Sequence, residues 1–197
     1  MTNHNTTSFD GRLLIGAAGS AAVVALPSYI GALRTVFTGT ITVLMTHTAT
    51  VFLPAHTVAL SADRVVTGAS ADTWPRENHA TLAAEHDMTA VLPATANVLS
   101  SVAAGAAPNM LSATIMAAVH PVVFFPVMSG SMWQKPAVQR NVDRLRQDGY
   151  EVVDPAWGMR YDVALGESVD SPMPPAPPRF IEMVRELMPS PLRSAAG

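Results

Sequence analysis

The chain has 197 residues, of which 49% are apolar and only 14% charged, with a formal net charge of −3; an average soluble domain is about 25% charged. One domain is the default at this length, and the acidic balance argues against a nucleic-acid partner. There is no cysteine, which excludes disulfides, thiolate metal sites and a cysteine nucleophile.

The charges are unevenly placed. Residues 13–33, 35–62 and 88–133 contain no Asp, Glu, Lys or Arg. A monomer needs a solvated polar surface over most of its exterior, whereas an obligate interface resembles a core cut in half. A homo-oligomer is therefore expected. Residues 13–33 are long enough to span a membrane, but they carry Gly16, Gly19, Ser20, Pro27 and Gly31, which suit a strand, a turn and a helix better. The polar start holds Asp10 and Arg12 and is no signal-peptide n-region, so a cytoplasmic location and no membrane partner are expected. The six histidines show no metal-ligand spacing, and no metal is expected.

In chain order, residues 1–10 read as a polar, frayed arm. Residues 12–16 are a buried strand, 17–20 a turn and 21–33 a helix that tolerates Pro27 in its first turns. A second strand covers 41–45, with a loop at 46–48 and short helices over 49–53 and 54–62. Residues 64–67 are a short strand and 68–78 a surface loop rich in Gly, Ser, Asp and Pro. A helix at 79–85 leads to a strand at 89–92. Helices of small residues follow over 97–104 and 109–119, then a strand at 121–125. Residues 136–147 form an amphipathic helix with Val138, Val142 and Leu145 on one stripe, closed by Gly149. The last strand covers 150–153. Residues 154–178 are proline-rich and aperiodic, and 180–188 return to a helix. Strands alternating with helices predict a three-layer α/β fold, Rossmann-like or flavodoxin-like, with a parallel sheet covered on both faces. The expected organisation is an arm (1–10), the α/β domain (11–155), a proline-rich loop (156–178), and a C-terminal helix and tail (179–197).

Four segments carry candidate chemistry. Gly19-Ser20 follows the first strand and opens a helix, where backbone N–H groups and a small hydroxyl suit a phosphate; an ordinary tight turn has the same sequence. There is no Gly-rich P-loop lysine. Pro93-Ala94-Thr95-Ala96-Asn97 sits at a strand end, where open parallel sheets bind ligands. Its small residues and amides can approach a flat ring, although Thr95 is equally a helix N-cap. His79 taken alone is more often structural than catalytic. Pro126 to Trp133 (PVMSGSMW) follows a further strand.

Together these segments resemble the homo-oligomeric flavin-containing cysteine decarboxylases, with the likeness running from about Arg12 to Pro155. Gly19-Ser20-Ala21-Ala22 matches the family form Gly-Ser-Ile-Ala, and Met45-Thr46-His47-Thr48-Ala49-Thr50 matches Met-Thr-x-x-Ala-Thr. Pro93 to Asn97 matches Pro-Ala-Ser-Ala-Asn, with Thr95 keeping the hydroxyl. His79-Ala80-Thr81-Leu82 precedes it at the family's distance. The resemblance implies FMN held by Gly19, Ser20, Ala21, Thr46, Thr48, Pro93, Ala94, Thr95, Ala96 and Asn97. It implies His79 as the catalytic acid–base group. It also implies a substrate site from Asn109, Met128, Ser129, Met132 and Trp133, and a homotrimer, or a dodecamer of trimers, with FMN at subunit contacts.

Two departures narrow the substrate. Ser129 stands where the family has the asparagine that binds the carboxylate about to be lost. Phosphopantothenoylcysteine decarboxylases carry a cysteine after the last strand that takes part in reducing the enethiol to a saturated thiol, and here that stretch reads PAWGMRY. The resemblance then favours the peptide-tailoring branch, which oxidatively decarboxylates the C-terminal cysteine of a precursor peptide to an aminoenethiol, a step toward aminovinyl-cysteine. The loop 156–178 is the candidate peptide clamp, with Trp157, Met159 and Tyr161 as contacts; a disordered linker is the other reading of the same composition. The rival functions are coenzyme A synthesis, a non-catalytic flavin-binding regulatory subunit, and flavin prenyl transfer.

Overall fold

The computed structural model describes residues 8–68, 74–162 and 165–189. Its centre is a six-stranded parallel sheet of β1 (Arg12–Ala17), β2 (Thr40–Met45), β3 (Arg64–Val66), β4 (Met88–Ala94), β5 (Val122–Pro126) and β6 (Glu151–Val152). The order is β3-β2-β1-β4-β5-β6. The chain therefore runs outward from β1 to one edge, returns, and continues to the other, with the switch point between β1 and β4.

The central strands are apolar at nearly every position because both faces are covered. Successive side chains point to opposite faces and so feed two cores. Leu13, Ile15, Val43 and Phe125 pack on one side with α1 (Leu26–Arg34) and α9 (Pro177–Leu187). Leu14, Leu44, Val91 and Phe124 pack on the other with α5 (Ala96–Ala103), α6 (Met110–Ala117) and α8 (Pro136–Gln147). Shorter helices α2 (His47–Phe52), α3 (Ala55–Val58), α4 (His79–Glu85) and α7 (Gly130–Trp133) complete the layers. Among the described residues no helix is long and apolar enough to cross a membrane.

The expected single helix over 21–33 divides in two. Ala21–Ala25 is a 3₁₀ turn, and α1 starts at Leu26 with Pro27 in its first turn. Pro27 has no N–H and its ring would clash with the carbonyl four residues back, so the helix restarts there. β4 runs through Pro93 to Ala94, past the expected end at 92, with a register shift between Val91 and Ala94. The Leu92–Pro93 bond is cis.

The segment after β6 is not the irregular loop expected from its prolines. β7 (Ala156–Asp162) and β8 (Glu167–Met173) form an antiparallel hairpin. Trp157, Met159 and Tyr161 alternate along β7 and share one face. The prolines cluster at the far end, before α9.

Both termini of the described chain are tied to the body. Phe9 pairs with Phe37, its ring 5.0 Å from that of Phe37 and beneath the Arg185 guanidinium. The arm is therefore not frayed at that point; residues 1–7 lie outside the described residues. Phe180 of α9 packs between Tyr29 and Phe125, and the Tyr29 hydroxyl donates to the Pro175 carbonyl at 2.6 Å.

Candidate functional site

A cavity of about 420 Å³ opens at the β1/β4 switch point, within the usual range of small-molecule sites. Loops after β1, β2, β4 and β5 converge on it. The first is Ala18-Gly19-Ser20, where the Ser20 hydroxyl accepts the Ala22 N–H at 3.3 Å. The second is capped by Thr46, whose hydroxyl accepts the Ala49 N–H at 3.3 Å. The third is capped by Thr95, which accepts the Val98 N–H at 3.4 Å. Asn109 caps α6 in a reciprocal capping box with Ser112. The first N–H groups of a helix have no partner inside the helix, so these caps set several free donors around one space.

Three backbone bonds lock the loops to one another. Ala18 N–H donates to Pro93 O at 3.2 Å, Thr46 N–H to Ala17 O at 3.0 Å and Val127 N–H to Ala94 O at 2.9 Å. Gly19 lies so close to α2 that a Cβ there would sit 2.4 Å from Thr48 Cβ. Only glycine lets the first loop rest against the second.

Among the described residues, no ionisable side chain lines the cavity. The donors are hydroxyls, the amides of Asn97 and Asn109, and backbone N–H groups. This set fits FMN. Helix N-termini take a phosphate without a cation, small side chains such as Ala18 and Ala96 admit a flat ring, and amides can bond its polar edge.

Gly19, Ser20, Thr46, Thr48, Thr95, Ala96, Asn97, Asn109, Met128 and Met132 all line the cavity. Ala21 is exposed just beyond the first loop. Pro93 and Ala94 are buried under the cavity and act through their carbonyls. Ser129 is half-buried and caps α7. Trp133 is not in the lining but in the second core, because α7 turns its last residue toward α8. His79 is exposed as the first residue of α4 and does not line the cavity of its own chain. Ala18, Val98 and Val127 also line it; they are small or apolar residues with no chemical signature, and only their adjacency to the capping residues marks them.

The opposite end of the sheet holds charge. Arg12 N–H donates to Asp87 at 2.8 Å and its guanidinium pairs with the same carboxylate. The Arg12 bonds hold the Asp87 carboxyl below the usual carboxylate range. Burial pushes the His86 and His120 imidazoles down. His86 Nδ1 lies 2.7 Å from Leu82 O and so carries the proton, and His120 Nε2 meets the Thr89 hydroxyl at 2.8 Å.

Fold and cavity define an α/β protein that binds a flavin nucleotide at a topological switch point. Residues 1–172 match the Flavoprotein family. The chain belongs to that family, and within it to the homo-oligomeric flavin-containing cysteine decarboxylases, whose cofactor is FMN. It is similar to mersacidin decarboxylase of Bacillus sp. (strain HIL-Y85/54728), 38% identical over 157 residues and 80% of either chain. The structure of MrsD from Bacillus sp. HIL-Y85/54728 matches with a TM-score of 0.78 at 32% identity, over 91% of this chain and 97% of that one. The FMN-dependent cysteine decarboxylase SpaF matches with a TM-score of 0.71 at 34% identity, over 90% and 94% of the two chains.

Proposed function

We propose that this protein is an FMN-dependent peptidyl-cysteine decarboxylase, converting the C-terminal cysteine of a precursor peptide to an aminoenethiol on the way to aminovinyl-cysteine. The observation that carries the reading is the neutral cavity joined at its rim to a hairpin. The Trp157 ring lies against Gly130, 3.2 Å from where a Cβ on that residue would be. The apolar β7 stripe of Trp157, Met159 and Tyr161 thus starts beside the cavity and can hold the residues that precede a C-terminal cysteine.

FMN supplies a two-electron acceptor. The cysteine loses its thiol proton and a hydride from Cβ, giving a thioaldehyde. The C=S group then accepts the electron pair released when the carboxylate leaves as carbon dioxide, and one proton returns to give the enethiol. The chain's residues position and exchange protons. The loops after β1, β2 and β4 fix the ring, Ser129 contacts the carboxylate, and His79 takes the thiol proton. The neutral lining matters here, because a fixed cation would stabilise the carboxylate more in the ground state than in the transition state and so oppose its loss. With no cysteine to help return the hydride, the reaction stops at the enethiol.

His79 acts on the cavity of a neighbouring copy. Its exposure outside its own cavity supports this, as does the apolar side of α2, the helix that holds the lining residue Thr48, where Val51 is 71% and Phe52 47% exposed. A homotrimer, alone or assembled into a dodecamer, would bring these together. Mass spectrometry tests the activity. A peptide ending in cysteine should lose about 46 Da, one carbon dioxide plus two hydrogens. A loss of about 44 Da on phosphopantothenoylcysteine, with peptides untouched, would move the activity to coenzyme A synthesis.

A further inference from the structure

We propose that Ser131 is a second carboxylate-binding residue, which works with Ser129 to hold the C-terminal carboxylate of the peptide between two neutral hydroxyls. The inference rests on the peptide-decarboxylase reading above. Ser129 Oγ and Ser131 Oγ lie 3.1 Å apart. Ser129 Oγ also accepts the Met132 N–H at 3.3 Å. That bond fills one of its lone pairs; the two hydroxyls bond each other, so one O–H is free and the other turns outward when a carboxylate replaces the serine–serine bond. Ser131 is exposed, and among the described residues its hydroxyl has no other partner.

The pair stands at the rim of the cavity, outside its lining but between two residues that belong to it. Met128 and Met132, on either side in the chain, line the cavity, and Gly130 between the two serines lies under Trp157 at the hairpin root. The serines therefore stand at the junction of cofactor space and peptide surface.

A carboxylate presents two acceptor oxygens, and each serine offers one rotatable O–H. An asparagine at position 129 would present two N–H donors from one nitrogen, together with a carbonyl that repels a carboxylate. A lone serine there would give half the donors on a shorter arm. The second hydroxyl two residues on restores the count. Bonds to an ionised acceptor are about twice as strong as neutral ones, so two hydroxyls suffice to orient the group without a cation.

The test uses the holoenzyme and the pentapeptide DSYTC, the substrate peptide in a complex of the relative EpiD. Turnover of DSYTC is inhibited with DSYTS, as free acid and as C-terminal amide, so that the ligand carries no thiol to oxidise. Wild type should prefer the acid over the amide by roughly a hundredfold, about tenfold for each charge-assisted bond. Ser131→Ala should lower that preference about tenfold, leave the inhibition by the amide and the visible flavin spectrum unchanged, and be rescued by Ser131→Thr. Full acid preference retained in Ser131→Ala overturns the inference while leaving the decarboxylase reading intact. A wild-type holoenzyme that leaves DSYTC unaltered overturns that reading and this inference together.

Discussion

The two ends of the sheet treat polar groups in opposite ways. Where the strands finish, Ser20, Thr46, Thr95 and Asn109 cap helices around an open cavity that has no ionisable lining among the described residues. Where they begin, Arg12 and Asp87 satisfy each other, Arg34 and Asp63 do the same, and the buried His86 and half-buried His120 imidazoles lie beside the first pair. At one end donors are kept free for a ligand. At the other, the charged groups are consumed by mutual bonds and contribute to folding. Substitutions at the two ends should therefore separate function from stability.

The largest effect falls on turnover alone. His79→Asn should slow decarboxylation by about 10²–10⁴-fold, the usual contribution of a positioned acid–base group, with FMN absorbance and melting temperature unchanged. Co-expression with a cavity-defective chain should restore part of the activity, because an intact His79 would then face an intact cavity. Unchanged turnover in a folded His79→Asn protein would remove the residue from the mechanism.

Next in size is Gly19→Ala. Its methyl group would meet Thr48 Cβ at 2.4 Å, so the first loop must lift away from α2. FMN affinity should fall at least about tenfold, read by titrating flavin fluorescence, while far-ultraviolet circular dichroism stays the same. Wild-type affinity in this variant would mean that the cavity is not shaped by that contact.

The smallest effect belongs to the charged end. His86 and His120 have folded pKa values below those of the unfolded chain, so the unfolded state binds more protons as pH falls through the unfolded value near 6.5. Their contribution is complete above that pH and declines below it. Asp87, also depressed, adds its own loss only below about pH 4. The melting temperature should drop by a few degrees between pH 7 and pH 5, with and without bound FMN. A flat profile over that range would contradict the burial of the two rings.

Much of this was legible in the sequence because the rules involved are local. Apolar runs such as LLIGA and VVFFP report burial on both faces, and a Ser or Thr after a strand reports a cap. The hairpin was hidden because Trp157, Met159 and Tyr161 alternate with Gly158 and Arg160 beside a dense proline run, and composition outweighed period. The break before α1 follows from Pro27, but where the helix restarts depends on Leu26 and Tyr29 finding the core. Ser131 had no signal of its own; only the fold sets its hydroxyl beside that of Ser129. The position of His79 relative to the cavity depends on spatial neighbours that spacing along the chain does not encode.

The anchoring of α9 bears on how specificity could be engineered. The hairpin leaves the body after β6 and re-enters it where Pro175 meets the Tyr29 hydroxyl, directly before Phe180 enters the core. Both of its feet are thus fastened to the body of the fold, so a hairpin that reads the peptide, as proposed above, would do so from fixed anchors. C-terminal truncation cannot remove the hairpin without also withdrawing Phe180, so deletion would report lost folding rather than lost recognition. Exchange is the cleaner operation: the stretch between Pro155 and Pro175 forms a cassette, and a hairpin from a relative with a different peptide preference could be set between the same two anchors.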